Sequence, residues 1–447
     1  MRTFEDNVVP NLLRHIFPSY RVPRINFAEG GLPHRVPGEA WCVDSTLAQG
    51  LPMLGQLSAE KIIQLYELID AVDTKSGLIR QAELLVGGMP ERDAINLLLR
   101  RFDNGEIHVE PVAVIVPHPE NVAAIMGLGV RQIGIKFGVS DYLLLPHGQT
   151  SRREPVQRLL DTIDACLDEE ANIRLDLVDV TRGDLDGFVL PLIEDCFEHI
   201  GKRGAAAPRI RLCDTLGLGV PWTESPVPRS VPRMIHTICH ALKLDSKDVE
   251  FVGNDNLGMA LANSIAAMMH GASGIACSFA GLGGTGGIAS TEQLLIHLSG
   301  HFGVEPDLAS VSKVFGFLKD CDVPVAANHP LWGDLALTRC LAPHGNAYSA
   351  RHHLGGPFDT VKMLGKEERE EIWSQSGAPG LINLIRSVLP HAELLCEDEA
   401  VVAILHWLEE KEVDRVSWED IEDIVREKLP ELFPEEAKEE AKEEEQE

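Results

Sequence analysis

The sequence predicts an α/β protein, a (β/α)8 TIM barrel with a C-terminal helical extension. Two observations carry that reading. Between residues 41 and 298, short runs rich in β-branched and apolar residues alternate with longer amphipathic stretches, giving eight strand candidates. Past Leu298 the alternation stops and helical patterns follow one another. Periodicity alone fits an open, doubly wound sheet equally well, so the closed barrel has to be argued from motifs at the strand ends.

The first 38 residues are rich in Pro, Arg and Gly and read as a lead-in arm. Strand candidates follow at Trp41–Leu47, Leu84–Gly87, Val109–Val116, Gln132–Phe137, Ile173–Val180, Arg209–Cys213, Val249–Gly253 and Gly274–Phe279. Helical patterns lie between them at Ser58–Val72, Arg92–Phe102, Glu120–Met126, Arg153–Asp168, Gly187–Ile200, Val231–Leu242 and Gly258–His270. Ser58 makes a helix start, and Gly105, Gly129 and Gly271 suit helix exits, where a left-handed residue is needed. Beyond the barrel, Asp307–Leu318 reads as a helix and Val323–His344 as a connector punctuated by Pro and Gly. Glu367–Ser374, Gly380–Leu389, Glu399–Glu410 and Val416–Leu432 read as further helices. The organisation expected is an arm over 1–38, a barrel over 39–300, a helical linker and subdomain over 301–434 and an acidic tail over 435–447.

A formal charge of −29 argues against nucleic acid as a partner, because phosphate contacts need clustered Lys and Arg. An anionic substrate needs a local basic pocket against that field. The tail at 435–447, with eight Glu and two Lys, reads as a solvated segment without catalytic meaning. Nine cysteines are spread singly with no C-x-x-C pair, which fits reduced, mostly buried thiols. The start lacks the apolar core of a signal peptide, and no apolar stretch reaches membrane-spanning length; a cytoplasmic protein with no membrane partner is expected.

Three segments carry a family resemblance. Asp44-Ser45-Thr46-Leu47-Ala48-Gln49-Gly50 resembles the D-T-T-L-R-D-G signature of the isopropylmalate synthase, homocitrate synthase and hydroxymethylglutaryl-CoA lyase family. Leu212-Cys213-Asp214-Thr215-Leu216-Gly217-Leu218-Gly219-Val220-Pro221 resembles its A-D-T-x-G-x-x-x-P segment, and Gly253-Asn254-Asp255-Asn256-Leu257-Gly258-Met259-Ala260-Leu261-Ala262-Asn263 its H-N-D-x-G-x-A-x-A-N segment. Ala280-Gly281-Leu282-Gly283-Gly284 is similar to the glycine-rich loop after strand eight. Asp179–Asp184 and Val139-Ser140-Asp141 agree more weakly. The order and spacing of these segments select the closed barrel. Past it, His329-Pro330-Leu331-Trp332-Gly333 is similar to the synthases' N-x-P-x-x-G turn, and Pro343-His344-Gly345-Asn346 stands where they carry a functional G-I-H segment.

The resemblance implies an acyl-CoA and a 2-oxo acid as substrates, C–C bond formation of the aldol or Claisen type, and a homodimer. It implies a divalent metal held by an Asp, two His and often an Asn, acting as a Lewis acid. The matching positions here are Gln49, Val252, Asn254 and Ile288, and the neighbouring arginine is Ala48. No anion or imidazole remains among them, so no family-type metal site is expected. Val86 occupies the place of a further barrel carboxylate, with Glu83 as a register-shifted substitute. Asp44, Gln49, Thr215, Asn254 and Asp255 remain as a hydrogen-bonding set, with His344 as acid or base. Gly281, Gly283 and Gly284 are candidates for cradling a CoA phosphate. Asp214 and Asn263 read first as loop braces. Two functions follow: a diverged condensing enzyme without the family metal, or a catalytically degenerate member that binds or regulates a partner.

Overall fold

Each predicted run pairs with its neighbours in chain order. In the computed structural model the strands are β1 (Trp41–Asp44), β2 (Ile79–Leu85), β3 (Glu110–Ile115), β4 (Gln132–Gly138), β5 (Asn172–Val178), β6 (Arg209–Asp214), β7 (Val249–Gly253) and β8 (Gly274–Cys277). All pairings are parallel, and β8 returns to β1, with Trp41 opposite Gly274 and Asp44 opposite Cys277, so the sheet is a closed (β/α)8 barrel. The structure describes residues 32, 34–86, 89–146, 150–302, 305–333, 335–340, 360–366, 369–373, 376–389, 392–411 and 415–430. The expected N-terminal arm up to residue 31, the acidic tail and His344 lie outside them.

Successive strand residues point to opposite faces. The outward set is apolar: Ile133, Ile135 and Phe137 on β4, Leu175 and Leu177 on β5, Ile210 and Leu212 on β6, Phe251 on β7 are all buried under the helices. Helices Ala59–Asp73, Met89–Asp103, Pro119–Met126, Arg153–Asp168, Leu190–Lys202, Val231–Leu242, Ala260–Met269 and Thr291–Phe302 form that outer ring. Ser58 caps the first of them, accepting from the Lys61 N–H at 3.3 Å. The main hydrophobic core therefore sits between sheet and helices, where each buried aliphatic side chain contributes about 1.5–3 kcal/mol.

The inward set is charged, and this changes one boundary. β2 begins at Ile79 rather than at the expected Leu84, because its inward positions, Gln81 and Glu83, are polar and break the apolar run. Helix Val311–Asp320 packs against Ala59–Asp73, and the first compact unit runs on to Pro324.

The second unit, from Val325, contains a three-stranded sheet as well as helices. β9 (Thr338–Cys340) pairs in parallel with β10 (Arg369–Trp373), which pairs antiparallel with β11 (Arg415–Ser417). The helix expected over Glu367–Ser374 is thus corrected: its described residues are strand β10. Helices Gly377–Val388, Glu399–Glu410 and Trp418–Lys428 enclose a core of Leu381, Ile385, Val401, Ile404, Ile421 and Val425. Ser417 and Asp420 form a reciprocal capping box at the last helix. Among the described residues no helix is long and apolar enough to cross a membrane, and Cys42, Cys166, Cys196, Cys213, Cys239, Cys277, Cys321 and Cys396 are free thiols.

Candidate functional site

Inside the barrel, parallel register places Lys136, Asp176, Arg211 and Glu250 side by side on β4 to β7. Around this row the lumen holds a buried ion-pair network. Arg174 Nε donates to Asp176 Oδ1 at 2.6 Å, and its Nη2 donates to Glu83 Oε1. Arg211 donates to Glu250 Oε2 through Nε at 3.0 Å and Nη2 at 2.7 Å, and also reaches Glu83. Ser45 Oγ donates to Glu83 Oε2 at 2.6 Å. Gly134 makes room for this arrangement, since a Cβ there would lie 2.6 Å from the Arg174 guanidinium. Burial by itself pushes the Glu83 carboxyl up, but Arg211 and Arg174, with Lys136, outweigh it and hold Glu83 well below the usual carboxylate range. Glu83 is therefore the lumen carboxylate of β2, while Val86 follows the end of that strand, half-exposed.

Towards the C-terminal ends of β1, β6, β7 and β8 the lumen becomes apolar. Val43, Cys213, Val252, Ala276 and Ile288 form one buried cluster there, joined by Trp41 from the start of β1. Val252 is 6% exposed and Ile288 3%, and the Ile288 backbone bridges that of Asn254. Burial pushes the Cys213 thiol well above its ordinary value. Beside the cluster, Ala48 is buried and Gln49 half-buried in the short helical turn Thr46–Gln49. The positions that the resemblance assigns to metal ligands thus carry an apolar patch and two amides. Among the described residues no group of three His, Cys, Asp or Glu side chains is placed to hold a metal ion.

The remaining candidates separate into committed and available groups. Asp44 faces away from the lumen and is 1% exposed. It accepts from the Thr46 N–H and hydroxyl and from the Thr291 hydroxyl, all at 3.0 Å, tying β1 to the helix after β8. Burial drives its carboxyl up to about 7 against those hydrogen bonds. Asp214, raised by burial to about 6, accepts from the Thr181 hydroxyl and from the Leu218 and Gly219 N–H groups, and so braces the loop after β6. Asn263 Nδ2 donates to the Gly219 carbonyl at 3.0 Å. Thr215 Oγ1 accepts the Asp179 N–H at 2.8 Å. Asp255 Oδ1 accepts the Ala260 N–H at the start of helix Ala260–Met269, at 2.8 Å. By contrast, the half-buried side-chain amides of Gln49 and Asn254 make no hydrogen bond among the described residues.

The glycine-rich loop folds back on itself. A Cβ on Gly287, at φ +79°, would lie 2.0 Å from the Gly281 carbonyl oxygen, and one on Gly286 would strike Asn256. Gly281, at φ +65°, donates its N–H to the Ser278 carbonyl, whereas the Gly283 and Gly284 N–H groups are free among the described residues. Glu292 lies fully buried beneath this loop and accepts the Ala280 N–H at 3.2 Å; burial raises its carboxyl to about 8.

The two weaker sequence segments meet at the mouth. Ser140 donates to Asp179, and Arg182 pairs with Asp179 at 2.6 Å while stacking 4.0 Å from the Tyr142 ring. Asp141 holds Arg152 in a buried bidentate pair at 2.9 and 2.8 Å, and Arg152 lies 4.4 Å over Phe188. The sequence reading missed the lumen network, Lys136 and Glu292. Charges two residues apart within apolar strands, Arg174 and Asp176 on β5 and Arg209 and Arg211 on β6, are the signal that reveals the network.

The HMGL-like family model matches residues 42–312, more than half of the chain. The citrate (Re)-synthase of Clostridium kluyveri is 26% identical, over 95% of this chain and 95% of its own length. The 2-phosphinomethylmalate synthase of Streptomyces hygroscopicus is also 26% identical, over 95% of this chain and 97% of its own. The HMG-CoA lyase structure from Brucella melitensis has a TM-score of 0.47 at 18% identity, covering 63% of this chain and 98% of that one. The chain belongs to the HMGL-like family.

Proposed function

We propose that this protein joins the acyl group of an acyl-CoA to a 2-oxo acid, forming a C–C bond without the metal the family ordinarily uses. One observation carries the reading: the similarity to two condensing synthases runs along almost their whole length, through the barrel and beyond it. In such a reaction a base takes the proton α to the thioester, and the resulting carbanion attacks the 2-oxo carbonyl. The alkoxide takes up a proton, and water then cleaves the thioester to release free CoA thiol. The half-buried side-chain amides of Gln49 and Asn254 make no hydrogen bond among the described residues and are suited to the polarised carbonyl oxygen. The free N–H groups of Gly283 and Gly284 suit a phosphate of the CoA. His344 is the proposed acid or base, and a homodimer in the cytoplasm the proposed state.

The metal-free part of the proposal rests on donor chemistry. A hard divalent cation needs carboxylate or imidazole ligands to offset its desolvation, and Val252 and Ile288 offer none. Two neutral amides beside a buried apolar cluster do not fit that ion.

The test is release of free thiol from a set of acyl-CoAs offered with a panel of 2-oxo mono- and dicarboxylic acids, in chelator-treated buffer. Turnover dependent on both substrates and indifferent to chelation is the expected result. Absence of thiol release from every pair overturns the enzymatic reading; release that chelator abolishes overturns its metal-free part.

A further inference from the structure

We propose that Lys136 is the anion-binding residue of the barrel mouth and that its ammonium receives a carboxylate of the organic acid. The proposal rests on the condensing reading only for the choice of acids, not for the site.

The backbone fixes where Lys136 points. It pairs in register with Asp176, whose side chain lies in the lumen, and register partners on parallel strands face the same side. Ile135 and Phe137, on either side of it in sequence, are buried on the opposite face. Lys136 differs from its lumen neighbours in being half-exposed, whereas Arg174, Asp176, Arg211 and Glu250 are each at most 2% exposed. The strand ends beside it are open: Leu85 is 40% and Val116 60% exposed. The lumen positions one step below and above Lys136 on β4 are Gly134 and Gly138, so its own strand adds no side chain at either.

The second observation concerns partners. Arg174 and Arg211 are tied to lumen carboxylates, Arg152 to Asp141 and Arg182 to Asp179. Lys136 makes no hydrogen bond or ion pair within 4 Å among the described residues; it acts on Glu83 and Cys213 only through space. It is a cation of the mouth left with donors to spare, in a protein whose overall charge of −29 repels anions. An ammonium on a flexible stem supplies three donors to a carboxylate entering from solvent.

The experiment is calorimetric titration of the full-length protein with oxalate, malonate and oxaloacetate, on the parent and on Lys136→Met, Lys136→Gln and Lys136→Arg. The parent is expected to bind at least one of them, more weakly as salt is raised. Loss of a charge-assisted contact predicts about 10- to 100-fold weaker binding in Lys136→Met and Lys136→Gln, with Lys136→Arg recovering part of it. Unchanged affinity in the neutral variants, with circular dichroism matching the parent, overturns the proposal, as does a parent that binds none of the three anions. Thiol release with an unchanged acid KM in Lys136→Gln sinks the role of Lys136 and leaves the condensing reading intact. Anion binding that disappears with Lys136 in a protein that never releases thiol supports the site and sinks the condensing reading.

Discussion

Replacing Glu83 by glutamine removes one of three carboxylates that hold two buried guanidinium groups in the barrel. Glu83, Asp176 and Glu250 face Arg174 and Arg211, and none of the five side chains is more than 2% exposed. The substituted amide would keep the shape but leave both arginines short of a counter-charge. Its nitrogen, placed where Glu83 Oε2 lies, could not accept the Ser45 hydroxyl that Glu83 accepts at 2.6 Å. Breaking a buried pair by removing one partner costs about 3–5 kcal/mol, because the surviving charge stays desolvated. The assay is urea unfolding followed by far-ultraviolet circular dichroism, with Arg101→Ala as a control. Arg101 pairs at the surface with Glu67, and its loss is expected to cost about 1 kcal/mol or less. Burial opposes ionisation of Glu83, but the arginines hold its folded pKa below the ordinary value of 4.5. Its contribution is therefore present above that value and is lost as pH falls towards the folded pKa, so the deficit of Glu83→Gln shrinks in acid. A Glu83→Gln protein within about 1 kcal/mol of the parent at pH 7 would refute the account of the lumen.

Glu292→Gln tests the opposite sign. Burial raises Glu292 from 4.5 to about 8, so its favourable contribution is complete below pH 4.5 and is lost as pH rises through 8; the variant is expected to unfold at higher urea than the parent at pH 9 and close to it at pH 5. Gly287→Ala forces a Cβ to within 2.0 Å of the Gly281 oxygen at a φ of +79°, whereas Gly284 has nothing within 4 Å. The first is expected to cost about 1–3 kcal/mol in urea unfolding and to weaken CoA binding by calorimetry, and Gly284→Ala to leave the stability unchanged. Combining Gln49→Asp, Val252→His and Asn254→His is expected to create Mn²⁺ binding that the parent lacks; stoichiometric, tight Mn²⁺ binding by the parent in the same titration overturns the reading of its donor set.

Much of the barrel was legible because its outward faces obey simple patterning. β4 through β8 were found within a residue or two, since Ile133, Ile135, Leu175, Leu177, Ile210, Leu212 and Phe251 mark buried alternation. β2 was half missed for the complementary reason: Gln81 and Glu83 sit where an apolar lumen would have supplied valine or leucine. Substitutions at Ala48, Gln49, Val252 and Ile288 could be read directly, since identity alone decides whether a residue can carry charge. The fate of Asp44, Asp214 and Asp255 could not. Whether a carboxylate faces a substrate or caps a loop depends on partners such as Thr291, Thr181 and Ala260, which lie 5 to 247 residues away in the chain. β10 was read as a helix because Glu and Arg dominate it, and only its pairing to β9 and β11 reveals the strand.

The charged lumen also constrains how this barrel can change over time. Its five inner groups share partners, so a substitution at Arg174 alters what Glu83, Asp176 and Glu250 each require. Single exchanges there strand a charge, while concerted replacement by apolar residues of matching volume is close to neutral. These positions should therefore be strongly epistatic: double-mutant cycles among them would show coupling well beyond that of surface pairs. The interior of the barrel can drift only as a block.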